Sequence, residues 1–545
     1  MPLEENFSTA SYAQGPDRPL LEMTVGDLLR RTASRYPDRL AVASRHQGKR
    51  MTWAELDAAA DHVARGLWSL GIRHGDRVGI WSTNCIEWVM MHMGCARAGA
   101  ALVNVNPAYR SHELQFTLTR SRMKALFLWH KDKHADYEEV LARACHGLDH
   151  ALQHVVYFDS PEWPALLEAE GQLPDHVAVD DIANIQYTSG TTGLPKGVLL
   201  THHNVVNNGQ FLAQGFHYTE QDKIVIPVPL FHCYGCVIGT MSAVNSGAAI
   251  ILPNWTFDAR ATLSAVHEER ATSVYGVPAM YVAEFGLPDF DSFDTTSLRT
   301  GMMSGAPCPV ELMKRVLEEM HCRELVIAYG QTETSPVVTM SDADDSIEVR
   351  VKTVGRAMPQ TEIMIQSLET REAVPYGQQG EVCVRGYALM RGYDGDPEGT
   401  AQVIQPDGWL RTGDLAVMRE DGCIHITGRS RDVIIRGGEN IYPREVEEFL
   451  YTHPKVGEVQ VIGIPHTRLG EVVVAWIRVR PDAEATEQEI KEFCQGQIAY
   501  YKVPEHVRFV TEFPATLSGK IQKYKMREYE IEARGLQLVA NATMA

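Results

Sequence analysis

The stretch Tyr187-Thr-Ser-Gly-Thr-Thr-Gly-Leu-Pro-Lys-Gly197 combines small, hydroxylated and flexible residues and closes on one lysine. Its glycines allow tight turns that bring backbone N–H groups close to phosphate oxygens, while its hydroxyls add donors and Lys196 adds a positive charge. A Walker A loop places a serine or threonine after Gly-Lys, whereas here the lysine precedes a glycine. Alone, the run fits either a mobile surface turn or a loop that holds the polyphosphate of ATP.

Length, composition and charge exclude several classes of protein. The chain has 545 residues, 44% of them apolar, which exceeds what one hydrophobic core usually holds and predicts two or more domains. The formal net charge of −19 argues against a nucleic-acid partner and does not favour an anionic membrane. The first residues lack a basic segment followed by an apolar one, so we predict no secretion signal and a cytoplasmic protein.

The most apolar window, residues 224–241, contains prolines, a histidine and glycines, which predicts a core segment and no integral membrane span. The ten cysteines have no framework spacing, as is typical of a reducing compartment. Cys233 and Cys236 form a Cys-x-x-Cys pair without a second pair at zinc-site spacing. Apolar packing and a metal or redox role are therefore the alternatives for this pair.

Helical and strand-like patterns alternate along the first part of the chain. Thr52-Trp-Ala-Glu55 has the form of a capping box, and apolar residues then recur at helical spacing until Gly71. The predicted strands between such helices are residues 77–81, 125–129, 154–158, 183–187, 248–252 and 273–275. This alternation predicts an α/β fold of sheets with helices packed on their faces.

The pattern changes after about residue 355, where glycine-rich runs at 362–365, 380–384 and 423–426 predict a β-rich subdomain. The short charged segment Gly428-Arg-Ser-Arg-Asp432 is a predicted border. Beyond it, helices from Pro443 and after a cap at Thr486, with strands near 456–462, 471–479 and 507–510, predict a compact α+β domain. We therefore expect an N-terminal domain over residues 1–428, a hinge over 429–432 and a small mobile C-terminal domain over 433–545.

Further motifs accompany the opening loop in a fixed order. They are Pro229-Leu-Phe-His-Cys-Tyr-Gly235, Ala328-Tyr-Gly-Gln-Thr-Glu-Thr334, Thr412-Gly-Asp414, Gly428-Arg429, Gly437-Gly-Glu-Asn-Ile-Tyr-Pro443 and Ser518-Gly-Lys520. With these motifs the chain resembles the AMP-forming acyl-CoA synthetases of the adenylate-forming superfamily, which includes luciferases, aryl-CoA ligases and nonribosomal adenylation domains. The resemblance spans residues 25 to 530, and the runs at 435–443 and 518–523 look most like medium-chain fatty acyl-CoA synthetases.

The resemblance implies that the N-terminal domain holds ATP. The residues expected to contact the phosphates are Thr188, Ser189, Gly190, Thr191, Thr192, Gly193, Lys196 and Thr332. Adenine is expected to stack on Tyr329, beside Gly330, with Gly305, Ala306 and Pro307 on its opposite side. Asp414 can accept hydrogen bonds from the ribose hydroxyls, and Arg429 can donate to the same sugar. Taken alone, each of these is an ordinary turn, core or surface residue.

Catalysis of adenylation requires positive charge at the α-phosphate, because two anions must meet there. Lys520, in a Ser-Gly-Lys turn on the mobile domain, is the predicted source of that charge and is delivered when the domain closes. Glu333 offers a hard oxygen ligand suited to Mg²⁺, and Thr192 is a further predicted catalytic residue. His232 is expected to gate the carboxylate entrance, although a histidine among apolar residues is often a core residue.

The acyl pocket is inferred by resemblance and is apolar. Its expected residues are His232, Cys233, Tyr234, Gly235, Gly276, Val277, Ser304 and Val337. Cys233 lies where amino-acid-activating relatives carry an aspartate for the substrate ammonium, so amino acids are not expected substrates. An apolar wall favours an aliphatic monocarboxylic acid, since each buried methylene contributes about 0.8 kcal/mol. Medium chain length is the leading prediction, and long-chain, branched and aryl acids are open alternatives.

The second half-reaction, attack of the CoA thiol on acyl-AMP, needs a narrow channel. Gly437 and Gly438 leave room for it, and Arg436 is a candidate contact for CoA. The resemblance implies that the C-terminal domain rotates about Arg431, where the family often has aspartate or lysine. We expect ATP, CoA and a small carboxylic acid as substrates, Mg²⁺ as cofactor and a homodimer as one oligomeric possibility.

Two other functions fit the same motifs. An acyl-AMP ligase would transfer the acyl group to a carrier protein, and assays with and without CoA distinguish it from a CoA ligase. A nucleotide-gated binding protein would have lost catalysis, which the presence of Lys520, Glu333 and the phosphate loop argues against.

Overall fold

The computed structural model describes the chain over residues 10–132, 135–148, 150–174, 176–188, 195–306, 308–429, 432–436, 439–481, 483–495, 497–516 and 520–537. Within these ranges the α-helices are α1 (Val25–Arg35), α2 (Trp53–Ser69), α3 (Ile86–Ala98), α4 (Ser111–Ser121), α5 (Tyr137–Cys145), α6 (Glu162–Leu167), α7 (His202–Gly215), α8 (Ser242–Ser246), α9 (Ala259–Glu269), α10 (Pro278–Phe285), α11 (Val310–Glu318), α12 (Ile347–Lys352), α13 (Pro397–Val403), α14 (Pro443–Tyr451), α15 (Glu487–Cys494) and α16 (Lys523–Ala533).

The strands of the first half of the chain are β1 (Tyr12–Gln14), β2 (Leu40–Ser44), β3 (Lys49–Thr52), β4 (Arg77–Trp81), β5 (Ala101–Val105), β6 (Ala125–Leu128), β7 (His154–Tyr157), β8 (Ile182–Thr188), β9 (Lys196–Thr201), β10 (Lys223–Val225), β11 (Ala249–Leu252) and β12 (Ser273–Gly276). Those that follow are β13 (Thr300–Met303), β14 (Glu324–Val326), β15 (Ala328–Gly330), β16 (Val337–Met340), β17 (Arg356–Ala357), β18 (Thr361–Gln366), β19 (Gln379–Gly386), β20 (Gly392–Tyr393), β21 (Leu410–Met418), β22 (Ile424–Arg429), β23 (Ile434–Arg436), β24 (Glu439–Ile441), β25 (Val456–His466), β26 (Gly470–Val479) and β27 (His506–Phe509).

The chain packs as two compact units. The larger unit contains Ala13–Ile363 and Val384–Leu410, and the smaller contains Met1–Tyr12, Met364–Cys383 and Arg411–Ala545. The predicted domain borders and the hinge over residues 429–432 stay predictions.

The larger unit contains two seven-stranded sheets. One has the order β20-β9-β8-β5-β4-β6-β7, in which the pairs from β8 to β7 are parallel and β9 and β20 add antiparallel strands at one edge. The other has the order β14-β13-β12-β10-β11-β2-β3, with an antiparallel β3 at its edge. A small antiparallel sheet joins β15, β16 and β17. Buried apolar side chains of the flanking helices cover the large sheets.

The smaller unit carries the sheet β24-β23-β26-β25, with β27 paired to β26 and helices α14 and α15 packed on its apolar core. Strands β18, β19, β21 and β22 belong to a five-stranded sheet with β1, which is the β-rich region predicted after residue 355. The antiparallel pair β21 and β22 brings two of the predicted motifs side by side.

The sequence-based elements are confirmed with small shifts of their ends. Both halves of the capping box at α2 form, because the Thr52 hydroxyl accepts from the Glu55 N–H and the Glu55 carboxylate accepts from the Thr52 N–H. The predicted strand at 77–81 coincides with β4. The apolar window predicted to lie in the core forms β10 and a buried π-helix at Tyr234–Met241, a helix type that periodicity does not reveal. No helix among the described residues has the length and apolar character of a membrane span.

Candidate active site

The predicted phosphate loop connects β8 to β9 in an antiparallel hairpin. Thr188 pairs with Lys196, and Tyr187 pairs with Gly197, so the hairpin brings both ends of the loop together. The predicted phosphate ligands within the loop lie outside the described residues, namely Ser189, Gly190, Thr191, Thr192 and Gly193. The described ends show that Lys196 leaves the loop on a strand held firmly in the sheet.

Strand β20 flanks the hairpin and carries Tyr393, a residue that sequence reasoning did not identify. Tyr393 pairs with Val198, and the Asp394 N–H donates to the Gly197 carbonyl over 2.7 Å. The Asp394 carboxylate accepts two hydrogen bonds from Arg77, over 2.7 and 2.8 Å. These contacts fix β20 against the strand that follows the loop.

Tyr393 contacts one predicted residue from each of two motifs. The Lys196 Nζ lies 4.6 Å from the centroid of the Tyr393 ring, within the range of a cation–π contact. The Tyr393 hydroxyl donates to Glu333 Oε1 over 2.9 Å. Burial, together with the neighbouring Glu333 charge, raises the pKa of Tyr393, so its hydroxyl remains a donor at neutral pH.

Glu333 lies in a single 3₁₀ turn, Thr332–Thr334, between β15 and β16. The Met390 N–H donates to the Glu333 carbonyl over 2.9 Å, and Thr334 bonds with the Gln331 backbone at the start of the turn. The backbone of the turn is therefore fixed while the Glu333 side chain stays partly exposed. Thr332 beside it is buried.

The single carboxylate of Glu333 suits Mg²⁺ better than it suits a metal ion whose ligands all come from the protein. Among the described residues, no group of three or more histidine, cysteine, aspartate or glutamate side chains could hold a metal ion. Mg²⁺ commonly keeps several waters and binds one or two carboxylates together with substrate phosphates. One partly exposed carboxylate, linked through Tyr393 to the β8–β9 hairpin, fits that pattern.

The residues expected around adenine come from neighbouring parts of the larger unit. Tyr329 pairs with Thr339 in the small sheet, and its side chain is partly exposed. A Cβ on Gly330 would lie 1.8 Å from the Pro336 carbonyl oxygen, so this close backbone approach requires glycine. Gly305 has a φ of +85°, and Ala306 follows it after β13. Pro307 lies outside the described residues.

His232 has a defined hydrogen-bonding role at one ring nitrogen. The Tyr234 N–H donates to His232 Nδ1 over 3.1 Å, so Nδ1 is the acceptor and the neutral ring carries its proton on Nε2. Cys233 Sγ lies 3.6 Å from the same nitrogen and 3.7 Å from Thr332 Oγ1. Burial raises the pKa of Cys233 to about 12, so it is a thiol at neutral pH.

Two buried asparagines hold the segment that carries His232, and sequence reasoning missed both. Asn84, after β4, donates to the Val228 carbonyl over 2.9 Å and accepts from the Leu230 N–H over 2.8 Å. Asn104, on β5, donates to the Phe231 carbonyl over 2.9 Å. Lone asparagines carry no sequence pattern, but both lie at or just beyond the carboxyl ends of parallel strands, where α/β sheets place their sites.

The chain of buried amides continues behind Asn104. Asn184 donates to Asn104 Oδ1 over 2.8 Å, and Gln186 donates to Asn184 Oδ1 over 2.5 Å and to Cys236 Sγ over 3.3 Å. Each buried amide thereby finds partners, which buried polar groups require. Cys236 is buried and accepts a hydrogen bond from Gln186 at the end of this row of amides, which is consistent with the packing alternative for the Cys-x-x-Cys pair.

Several residues expected in the acyl pocket lie in the larger unit and have defined backbone partners there. The buried Tyr234 hydroxyl contacts the carbonyls of Gly276 and Met302, over 3.1 and 2.8 Å, and so links the π-helix to β12 and β13. Val277 and Val337 are buried, and Asn208 donates to the Val337 carbonyl over 2.8 Å. Ser304 donates to the Ala328 carbonyl over 2.6 Å.

Glycines in this region allow close backbone packing. A Cβ on Gly235 would lie 2.3 Å from the Pro229 carbonyl oxygen, and one on Gly276 would lie 2.8 Å from the Tyr281 ring. Gly235, the second residue of the π-helix, therefore packs directly against Pro229 at the start of its own motif.

In the smaller unit, Asp414 and Arg429 face each other across β21 and β22. Arg429 Nε lies 2.9 Å from Asp414 Oδ1, and the Asp414 side chain is largely buried.

Glu381, a buried carboxylate that sequence reasoning missed, accepts from the Gly413 N–H over 3.0 Å and binds Arg411. Thr412 donates to the Val382 carbonyl and accepts from the Asp414 N–H. This arrangement holds the Thr412-Gly-Asp414 turn.

Lys520 is exposed and lies at the end of a short hairpin-like turn. Its N–H donates to Thr516 Oγ1 over 3.1 Å, its carbonyl accepts from the Thr516 N–H over 2.8 Å, and Ala515 pairs with Ile521.

Arg436 donates to the carbonyls of Tyr501 and Val503 and to Glu505. The predicted hinge residue Arg431 and the predicted channel residues Gly437 and Gly438 lie outside the described residues.

Comparison with known proteins identifies the class. The model of a family described as AMP-binding enzyme matches residues 29–394, and the model described as AMP-binding enzyme C-terminal domain matches residues 445–520. The chain belongs to the AMP-binding enzyme family.

Three known proteins show how far the similarity extends. YngI of Bacillus subtilis (strain 168) is 44% identical, over 94% of this chain and 98% of its own. The mitochondrial medium-chain acyl-CoA ligase ACSF2 of Bos taurus is 40% identical, over 95% of this chain and 89% of its own. The ATP-bound crystal structure of MatB from Rhodopseudomonas palustris is 29% identical with a TM-score of 0.84, over 93% of this chain and 99% of that chain. The expectation of an adenylate-forming acyl-CoA synthetase, an acid–thiol ligase, is confirmed.

Proposed function

We propose that this enzyme activates medium-chain aliphatic carboxylic acids with ATP and transfers the acyl group to CoA. The observation that carries the proposal is the arrangement of Lys196, Tyr393 and Glu333 beside the phosphate-loop hairpin, in a chain of the AMP-binding enzyme family. The relative named a medium-chain acyl-CoA ligase, which matches 95% of the chain, supports the choice of acid.

In the first half-reaction, a carboxylate oxygen of the acid attacks the α-phosphorus of ATP, and the bond to pyrophosphate breaks. The hairpin loop and Lys196 bind the phosphates, while Asp414 and Arg429 bind the ribose. Glu333 would hold Mg²⁺, which neutralises charge on the phosphate oxygens. Lys520 approaches the α-phosphate and stabilises the charge that develops there. Its exposed position in a small turn suits a side chain that must reach a substrate.

His232 and its neighbours position the acid. The Nε2–H tautomer set by the Tyr234 N–H directs a donor away from the backbone, so this nitrogen can donate to a carboxylate. The neutral thiol of Cys233 adds no charge beside it. Tyr234, Val277 and Val337 supply buried apolar surface for the alkyl chain.

In the second half-reaction, the CoA thiol attacks the acyl carbonyl of acyl-AMP and AMP leaves. We propose that Gly437 and Gly438 line the approach of the thiol and that the chain rotates at Arg431 between the two steps. Arg436 binds carbonyls and Glu505, so it would have to exchange one of these contacts to bind CoA.

The test is a pyrophosphate-release assay over saturated acids of graded length, with and without CoA, together with detection of the thioester. The proposal expects a maximum at medium chain length and acyl-CoA as the final product. Release of pyrophosphate with acyl-AMP persisting in the presence of CoA would indicate a ligase that loads a carrier protein. No release with any acid would overturn the proposal.

A further inference from the structure

Tyr393 contacts both a cation and an anion that the proposed function assigns to the nucleotide. Its ring faces the Lys196 ammonium at 4.6 Å, and its hydroxyl donates to Glu333 Oε1 over 2.9 Å. Among the described residues, Lys196 and Glu333 form no direct ion pair, and both side chains lie against the same tyrosine. A direct pair would neutralise both groups, so the tyrosine keeps each available for a ligand.

The backbone around Tyr393 fixes the side chain on both sides. The Tyr393 N–H donates to Thr400 Oγ1 over 2.9 Å, and a Cβ on the preceding Gly392, whose φ is +148°, would lie 3.1 Å from Thr400. The following Asp394 is held by Arg77 and by the backbone of Gly197. Tyr393 is only 8% exposed, so its hydroxyl has little freedom to leave Glu333.

We propose that Tyr393 is a positioning residue for the divalent cation that accompanies ATP. Its hydroxyl donates to Glu333 Oε1 and thereby orients the carboxylate that would hold Mg²⁺ together with the triphosphate. Its ring holds the Lys196 ammonium beside the same phosphates. This inference rests on the proposed function, since it assigns Tyr393 a role in the binding of ATP with Mg²⁺.

The test is calorimetric binding of ATP, without acid or CoA, to the full chain carrying Tyr393→Phe. This substitution keeps the ring over Lys196 and removes only the hydroxyl donor. We expect the Kd for ATP in Mg²⁺ to rise roughly tenfold, the effect of losing one hydrogen bond to a charged group. The Kd for ATP in EDTA should not change. A merely structural role would change both values together or neither.

Tyr137→Phe is the matched control, because the Tyr137 hydroxyl donates to the Asp132 carboxylate over 2.8 Å in the same unit. It removes the same chemical group from a tyrosine–carboxylate pair and should leave both Kd values unchanged. Glu333→Gln alone and combined with Tyr393→Phe complete a double-mutant cycle. If Tyr393 acts through Glu333, the second substitution adds no further loss in Mg²⁺.

Three outcomes overturn the inference: an unchanged Kd in Mg²⁺ for Tyr393→Phe, an equal loss in EDTA, or additive losses in the double variant. Its failure is separable from failure of the proposed function. If the unsubstituted enzyme binds ATP and releases pyrophosphate while Tyr393→Phe behaves like it, only the role of Tyr393 is wrong. If the unsubstituted enzyme does not bind ATP, the proposed function itself is wrong.

Discussion

Arg429 Nε lies 2.9 Å from Asp414 Oδ1, and the two residues are register partners on adjacent antiparallel strands. The pairing orients the Asp414 carboxylate, and Glu381 fixes the turn that precedes it. A carboxylate held in this way can accept hydrogen bonds from neighbouring hydroxyls without reorganisation, which suits recognition of a ribose.

Asp414→Asn should therefore weaken ATP binding by about 1.5–3 kcal/mol, the cost of losing hydrogen bonds to a charged acceptor. The KM for ATP, measured by pyrophosphate release, should rise while the KM for the acid changes little. Asp421→Asn is the control, because Asp421 forms an ion pair with Arg419 in the same hairpin, with Arg419 Nη2 3.1 Å from Asp421 Oδ2. An equal rise in both variants would contradict a specific role for Asp414.

Lys520→Ala should abolish formation of acyl-AMP while largely sparing thioester synthesis from supplied acyl-AMP. The reason is that a cation at the α-phosphate serves only the step in which pyrophosphate leaves. Pyrophosphate release and thioester formation from synthetic acyl-AMP measure the two steps separately. Lys525→Ala, an exposed lysine on the adjoining helix α16, should alter neither step. Equal loss of both steps in Lys520→Ala would refute the division.

Asn104→Leu should raise the KM for the acid, because Asn104 anchors the Phe231 carbonyl next to His232. It should also destabilise the fold by about 1–3 kcal/mol, since partners of a buried amide are left unsatisfied. The matched control is Asn207→Leu. It also removes a buried amide, one that accepts from the Leu21 N–H and donates to the Leu21 carbonyl. We expect both variants to melt at lower temperature, but only Asn104→Leu to change the KM for the acid. Equal KM values would exclude this anchoring role.

Sequence patterns predicted the elements of the fold because burial imposes a period on the residues that form them. The capping box of α2 and the strand at 77–81 are local signals, and both are formed as expected. The loop ends, Asp414 and Arg429 were each identified through motifs that keep order and spacing, but the ion pair between Asp414 and Arg429 was not predicted. Strand β1 was missed, since a strand of three residues carries little periodicity.

The supporting residues could not be predicted, because their roles depend on contacts between distant parts of the chain. Tyr393 reaches Glu333 across 60 positions, and Asn104 reaches Phe231 across 127. A tyrosine after a glycine, or a single asparagine in an apolar strand, has several common environments. Only the packing of β20 against β9, and of the sheet edge against the His232 segment, selects one of them.

Glu284 on α10 gives a prediction about stability that is independent of catalysis. Its side chain is buried, and Glu284 Oε2 has no hydrogen-bond partner among the described residues. Burial raises the pKa of Glu284 well above its ordinary value, so the folded state holds this proton more tightly than the unfolded state does. As pH rises above the unfolded pKa, the unfolded state loses the proton first and is favoured by about 1.4 kcal/mol per pH unit. The contribution of this group to stability is therefore fully present only below the unfolded pKa, and it is lost as pH rises towards the folded pKa.

Glu284→Gln removes this titration while keeping the shape of the side chain. Relative to the unsubstituted protein, the variant should gain stability as pH increases, with little difference in acid and a higher Tm at neutral pH and above. Glu447→Gln is the contrasting control, because the buried Glu447 carboxylate is paired with Lys523 over 2.6 Å and accepts from the Val461 N–H over 2.8 Å. That substitution should lower Tm at neutral pH, since it breaks the ion pair between the buried Glu447 carboxylate and the partly buried Lys523. A pH-independent difference between Glu284→Gln and the unsubstituted protein would show that Glu284 is not held protonated by burial.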